Sequence, residues 1–238
     1  MNIIFKTITL LSLIRLGLGD TYGGLYPRES ESREVKSLDG FWDFRLAPRD
    51  DPNLGFNEKW FGKPLRLVGK TIRMAVPSSY NDITQSEELR DHVGWAWYSR
   101  DFFVPSSWIE NKLRIVVRVG SAHYNSILYV NGVELTSHEV GHLPFDAEIS
   151  DYVFSDSANW ITICINNTLT PLSIPQGEVV YHNDLSRYPP GYFTLDYSFD
   201  FFNYAGIHRP VFLYTTPQTH IDDITILTNI QDGSESIN

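Results

Sequence analysis

The chain lacks the features on which several protein classes depend. Its single cysteine, Cys164, rules out an intrachain disulfide. Only 19 lysines and arginines stand against 29 aspartates and glutamates, and the net charge of -10 repels phosphate backbones. Beyond the N-terminus, no apolar run approaches the roughly 20 residues of a membrane-spanning helix. We therefore expect neither a disulfide scaffold nor a partner that is a nucleic acid or a membrane.

The first 19 residues have the pattern of a secretory signal peptide. Lys6 gives a weakly basic start, a short apolar core of leucines and isoleucines follows, and Gly17 and Gly19 are small residues suited to cleavage. Arg15 interrupts the core, and a disordered or buried N-terminus is the alternative. The pattern predicts that residues 1–19 are removed and that the mature chain enters the secretory pathway.

Strand patterns dominate after residue 38, and no segment shows a helical stripe of ten residues or more. Two of the strands meet across Asn131-Gly132, a pair typical of type I′ hairpin turns. Short strands separated by prolines and turn residues indicate an all-β fold, an antiparallel β-sandwich or jelly roll. The predicted strands are Leu113–Val119, Ser126–Val130, Val133–Ser137, Trp160–Asn166 and Pro210–Thr215.

A domain boundary is predicted near Pro217. Residues 20–218 form one β domain, and Ile221–Ile226 has the pattern of a new strand. Because one strand cannot bury its own face, we interpret residues 219–238 as the start of a second domain.

Two short motifs suggest chemistry. His138-Glu139-Val140-Gly141-His142 matches the zinc-protease pattern, which requires both histidines on one face of a helix. Here the pattern follows a hairpin strand and precedes Pro144, so we expect a loop with solvent-facing histidines and no metal site. Asn166-Asn167-Thr168 is an N-glycosylation sequon, with an ordinary polar strand end as the alternative.

Cys164 alternates with the isoleucines of its strand and so falls on the opposite face, which predicts a buried or half-buried thiol without a catalytic role. No serine has the context of a hydrolase nucleophile, and no carboxylate pair marks a glycosidase site. The sequence thus names no catalytic residue and implies no cofactor.

The stretch Asp200-Phe201-Phe202-Asn203-Tyr204-Ala205-Gly206 places a carboxylate among aromatic rings. A carboxylate accepts strong hydrogen bonds from sugar hydroxyls, and flat apolar rings can line a sugar site. The alternative is an aromatic β-sandwich core in which Asp200 caps a turn.

These residues also carry a family resemblance. The stretch from Asp200 to Pro217 resembles the end of the N-terminal sugar-binding domain of the β-glucuronidases of glycoside hydrolase family 2. Further segments follow in the family's order, over about residues 23–230. Among them are Leu38-Asp39-Gly40-Phe41-Trp42, Val76-Pro77-Ser78-Ser79-Tyr80-Asn81-Asp82, Val93-Gly94-Trp95-Ala96-Trp97-Tyr98 and Leu143-Pro144-Phe145.

The resemblance implies a jelly roll of the galactose-binding type, followed by an immunoglobulin-like domain and a barrel that carries both catalytic glutamates. It also implies that Asp200 contacts a sugar hydroxyl, that the enzyme is a homo-oligomer acting on β-glucuronosides or related glycans, and that it is lysosomal or secreted. The chain departs from the family at two places: the family often has Gly-Gly-Tyr where this chain has Val140-Gly141-His142, and Cys164 stands where a small residue is usual.

Three functions remain open at this point. The chain is the sugar-binding portion of a β-glucuronidase-like hydrolase, inactive by itself, or a free-standing lectin-like module. The third possibility is a structural or oligomerisation domain without a ligand.

Overall fold

The computed structural model describes residues 26–200, 204–231 and 234–237, so the predicted signal peptide lies outside the described residues. No helix in these ranges has the length and apolarity needed to cross a bilayer. The helices are α1 (Leu54–Asn57), α2 (Glu87–Arg90) and α3 (Ser106–Glu110). The strands are β1 (Val35–Ser37), β2 (Gly40–Leu46), β3 (Ile72–Val76), β4 (Trp95–Phe102), β5 (Arg114–Val119), β6 (Ala122–His123), β7 (Asn125–Val130), β8 (Val133–His138), β9 (Phe145–Glu148), β10 (Asn159–Asn166), β11 (Gly177–Tyr181), β12 (Phe193–Tyr197), β13 (Gly206–Ile207), β14 (Val211–Thr216), β15 (Thr228–Gln231) and β16 (Ser234–Ile237).

Two antiparallel sheets form the predicted β-sandwich. One sheet has the order β1-β14-β5-β9 and the other has the order β3-β2-β4-β10-β7-β8. Between them lies one apolar core, in which Trp42, Tyr98, Val117 and Ile163 are fully buried. Burial of each such side chain stabilises the fold by roughly 1.5–3 kcal/mol, so the sandwich supplies the rigid body on which the site is built.

The sequence patterns of the central strands are confirmed. In β5, Ile115, Val117 and Val119 face the core between the sheets. Val116 packs on the opposite face with the aromatic rings of β14. Between β7 and β8, Asn131 and Gly132 have φ of 50° and 83°, as a type I′ turn requires.

The outer face of the six-stranded sheet carries a second apolar cluster. Cys164 is buried there with Trp60, Trp97 and Tyr129. Burial raises the pKa of the Cys164 thiol well above its ordinary value, which keeps it protonated. The predicted burial of this thiol is confirmed.

Two regions differ from the sequence prediction. Ile221–Ile226 forms no strand, because none of the described strands lies beside it to accept its backbone hydrogen bonds, and its isoleucines are exposed. The following hairpin of β15 and β16 pairs only with itself. The hairpin of β11 and β12 was not predicted, since eleven residues without a short-turn pattern separate its strands.

Candidate functional site

The stretch that begins at Asp200 has an exposed part and an anchored part. Asp200 lies in a bend and is exposed. Ala205 and Ile207 are buried, and the chain then continues into β14, an interior strand of the four-stranded sheet. We call residues 204–207 the anchor segment. Asp200 is therefore a solvent-facing carboxylate a few residues from a fixed point of the fold.

The loop from Ser78 to Asn81 holds one side of the anchor segment. The Ser78 N–H donates to the Ile207 carbonyl at 2.8 Å, and the Tyr80 N–H donates to the Ala205 carbonyl at 3.0 Å. The Ala205 N–H donates in return to Asn81 Oδ1 at 3.1 Å. Three hydrogen bonds over four residues leave this backbone little freedom.

Gly206 allows this close approach. Its φ is +131°, a conformation that residues with side chains rarely adopt. A Cβ atom placed there would lie 2.6 Å from the Ser78 carbonyl oxygen and 3.3 Å from the Tyr80 nitrogen. The glycine is thus required by both the backbone angle and the packing.

Three histidines hold the other side of the anchor segment. The ring of His123, in β6, lies with its centroid 4.1 Å from that of His142 and 4.2 Å from that of His208. Nδ1 of His123 is 3.2 Å from the Tyr204 carbonyl oxygen. We call His123, His142 and His208 the histidine cluster. Because these residues are far apart in sequence, no local sequence pattern predicts the cluster.

Burial sets the protonation state of the histidine cluster. It lowers the pKa of His123 to about 3, with further lowering by His208 and His142. Burial also lowers the pKa of His142 and of His208. The cluster is therefore uncharged at neutral pH. In the described part of the chain, no three potential ligand side chains are arranged to hold a metal ion.

The zinc-protease pattern is not a helix, as expected, but its histidines are not solvent-facing as predicted. His138 ends β8 and is buried, with Nε2 2.8 Å from the Val140 carbonyl oxygen and its ring stacked on Phe145. His142 is half-buried against His123. Strand geometry turns the two imidazoles toward different neighbours, so they do not converge on one point.

A cleft of about 1160 Å³ opens beside the loop that holds the anchor segment, and Asn81 of that loop is part of its lining. Its lining includes aromatic residues of β12 and of the preceding loop, together with Arg49, Arg90 and Asp91. Asp91 engages both arginines, since its carboxylate pairs with Arg90 at 3.0 Å and its carbonyl accepts from Arg49 at 2.7 Å. The cleft therefore presents aromatic rings and carboxylates to a ligand, with its arginines already paired.

The sequon lies at the end of β10. Asn166 is half-buried, and its Oδ1 accepts the Thr168 N–H at 2.9 Å. Asn167 is buried and bonds through its side chain to the backbone of Gly94 and His92. The side-chain amide nitrogen of Asn166, to which a glycan attaches, is not the atom used in the turn.

Comparisons with known proteins agree with this geometry. The family model described as glycosyl hydrolases family 2, sugar binding domain, matches residues 35–217. The dog β-glucuronidase is 54% identical over 221 residues, which are 92% of this chain and 34% of that protein. The chain spans about a third of the length of the curated relatives it matches.

Solved structures of β-glucuronidases share the fold. That of an uncultured Clostridium species superposes with a TM-score of 0.77 at 41% identity, covering 90% of this chain and 34% of its own. That of Ruminococcus gnavus, in complex with D-glucaro 1,5-lactone, gives 0.78 at 31% identity and covers 91% of this chain and 35% of its own.

The packing at Gly206 generates a stability prediction. Gly206→Ala introduces the clash with Ser78 and an unfavourable φ, so we expect a loss of about 3 kcal/mol in the free energy of unfolding, measured in urea. At Gly62, a Cβ would meet only one atom within 4 Å, at 3.9 Å. The control Gly62→Ala should stay within about 1 kcal/mol. Equal losses for the two variants would contradict the close packing of the anchor segment.

Proposed function

Because the chain belongs to glycosyl hydrolase family 2, through its sugar-binding domain, we propose that it is the N-terminal portion of a β-glucuronidase that cleaves β-glucuronosides or related glycans. The observation that carries this proposal is the 54% identity to the dog enzyme over nearly the whole chain. The exposed Asp200 beside a rigidly held anchor segment is the feature best placed to meet a substrate.

Asp200 acts in this proposal as a substrate-binding residue. Its carboxylate accepts a hydrogen bond from a sugar hydroxyl, and a charge-assisted bond of this kind is about twice as strong as a neutral one. Its exposure makes the side chain accessible to a ligand. The catalytic step, by the family resemblance, belongs to two glutamates of a barrel domain acting as acid/base and nucleophile.

The proposal also covers the segments of the chain, the localisation of the enzyme and its oligomeric state. Residues 1–19 are a signal peptide, residues 20–218 the sugar-binding jelly roll, and residues 219–238 the start of an immunoglobulin-like domain. The enzyme is lysosomal or secreted, forms a homo-oligomer and uses no cofactor. These assignments rest on the sequence pattern of the N-terminus and on the family resemblance.

We expect the 238-residue chain to have no glucuronidase activity by itself, because the proposed catalytic glutamates lie in the portion of the enzyme that follows the sugar-binding domain. Release of p-nitrophenol from p-nitrophenyl glucuronide should equal that of a buffer blank. Turnover above the blank that Glu87→Gln or Glu88→Gln abolishes would instead place a catalytic carboxylate in the cleft and overturn this division of roles.

The role of Asp200 can be tested in a chimera in which this chain replaces the matching third of the dog β-glucuronidase. Asp200→Ala should lower kcat/KM by roughly 10- to 150-fold, the effect of losing one charge-assisted hydrogen bond. The matched control is Asp196→Ala, since Asp196 is also exposed and lies four residues earlier, in β12.

The two variants should have melting temperatures close to that of the parent chimera, because both aspartates are exposed. An unchanged kcat/KM of the chimera with Asp200→Ala would show that Asp200 does not bind the substrate. Tight binding of free glucuronate by the isolated chain, seen by isothermal titration, would favour the lectin-like alternative.

We also propose that Asn166 carries an N-linked glycan when the chain passes through a eukaryotic secretory pathway. The secreted chain should lose mass on N-glycosidase treatment, and Asn166→Gln should abolish that loss. Unchanged mass on treatment of the wild-type chain would contradict occupancy of this sequon.

A further inference from the structure

The histidine cluster has no part in the function proposed so far, although it contacts the anchor segment directly. His123 is buried, and its Nδ1 faces the carbonyl oxygen of Tyr204. A carbonyl can only accept, so Nδ1 carries the proton and donates, and Nε2 is the unprotonated nitrogen of the neutral ring. Tyr204 is the first described residue after Asp200.

We propose that His123 is a positioning residue for the anchor segment: packed against His142 and His208, its neutral imidazole holds the Tyr204 carbonyl and so fixes the end of the anchor segment that is nearer in sequence to Asp200. The relevance of this contact to substrate binding rests on the proposed role of Asp200. It assigns to His123 no contact with the substrate.

The surroundings of His123 exclude its charged form. It faces the imidazoles of His142 and His208, stacks on the ring of Tyr124 in its own chain segment, and lies near the guanidinium of Arg209. None of the groups that shift its pKa is a carboxylate. An imidazolium there would have to bury a second N–H donor and a positive charge among rings and a cation, which is costly.

The contribution of neutral His123 to stability depends on pH. The pKa of His123 is about 3 in the folded chain and near its ordinary value in the unfolded chain, so the unfolded chain binds the proton more readily. The contribution of neutral His123 is fully present above about pH 6.5 and is lost gradually as the pH falls toward 3. Nδ1–H donates to the Tyr204 carbonyl in the neutral and the charged ring alike. The pH dependence therefore reports on the burial of the ring, which stays neutral at the mildly acidic pH at which an ordinary histidine is charged.

The Arg209 side chain binds the backbone of His142, whose ring contacts His123. Its Nη1 donates to the His142 carbonyl at 2.9 Å. Gly141, next to His142, lies so close to His123 that a Cβ there would be 2.9 Å from the His123 ring. The ring is thus confined by backbone on one side and by imidazoles on the other, and it can occupy few other positions.

The test uses the 238-residue chain without sugar and reads out the anchor segment by NMR. His123→Leu removes the donor while filling the space, and amide exchange at Ala205 should become about tenfold faster, as expected for the loss of one buried hydrogen bond. His123→Asn keeps an N–H donor near the position of Nδ1 and should restore exchange to near the wild-type rate. His182→Asn is the control, since His182 lies on the hairpin of β11 and β12, outside the histidine cluster.

The wild-type chain provides a second measurement that does not depend on the folding of any variant. The ring resonances of His123 should show no titration between pH 8 and pH 5, and the Tyr204 and Ala205 amide shifts should be constant over that range. Titration of His123 with a midpoint between pH 6 and pH 7 would overturn the proposal, as would a folded His123→Leu with wild-type exchange or a folded His123→Asn without rescue.

The outcomes separate this inference from the proposed function. The Asp200→Ala chimera reports on substrate contact, whereas the exchange and pH measurements report on His123 in the absence of substrate. If the chimera is indifferent to Asp200 while His123 behaves as expected, the proposed function fails at Asp200, and His123 holds the anchor segment without serving a substrate site.

Discussion

The close contact between Gly206 and the Ser78 carbonyl is the constraint on which the rest of the site depends. Only a residue without a Cβ can lie there, and its positive φ turns the chain so that both neighbouring carbonyls meet donors of the Ser78–Asn81 loop. Once that loop and the anchor segment are joined, β14 enters the four-stranded sheet in fixed register. The requirement for glycine at position 206 thereby attaches the anchor segment, which follows Asp200 in sequence, to the core of the sandwich.

Much of the fold was predictable because its determinants are local. The alternation of apolar and polar residues predicted β5 and β10, and the Asn131-Gly132 pair predicted the hairpin between β7 and β8. Both patterns depend only on residues that are neighbours in sequence. The prediction of a strand at Ile221–Ile226 was wrong because strand formation also depends on residues that are distant in sequence. A strand needs a partner as well as a pattern, and none of the described strands pairs with it.

The site was only partly predictable. Asp200 was predicted as a sugar-binding residue from its aromatic surroundings and the family resemblance, and that role stays a prediction. The histidine cluster was not predicted, because its members are brought together by the order of strands in space. The same topology explains why the zinc-protease pattern misled about exposure. His142 faces inward because the turn that carries it packs on β6, where Ala122 donates to the Gly141 carbonyl. Motif spacing carries no information about such a contact.

Under the proposed function, the acidity of the chain constrains how it contributes to recognition of a uronic acid. With a net charge of -10 it repels the carboxylate of a glucuronoside, and the arginines of the cleft are already engaged by Asp91. Asp200 adds a further negative charge, so under the proposed function it selects a hydroxyl by a short-range hydrogen bond and gives no attraction to the charged end of the sugar. A binding contact that is directional but electrostatically unfavourable depends on accurate placement, which is why the rigidity of the anchor segment matters more to this site than the charge it presents.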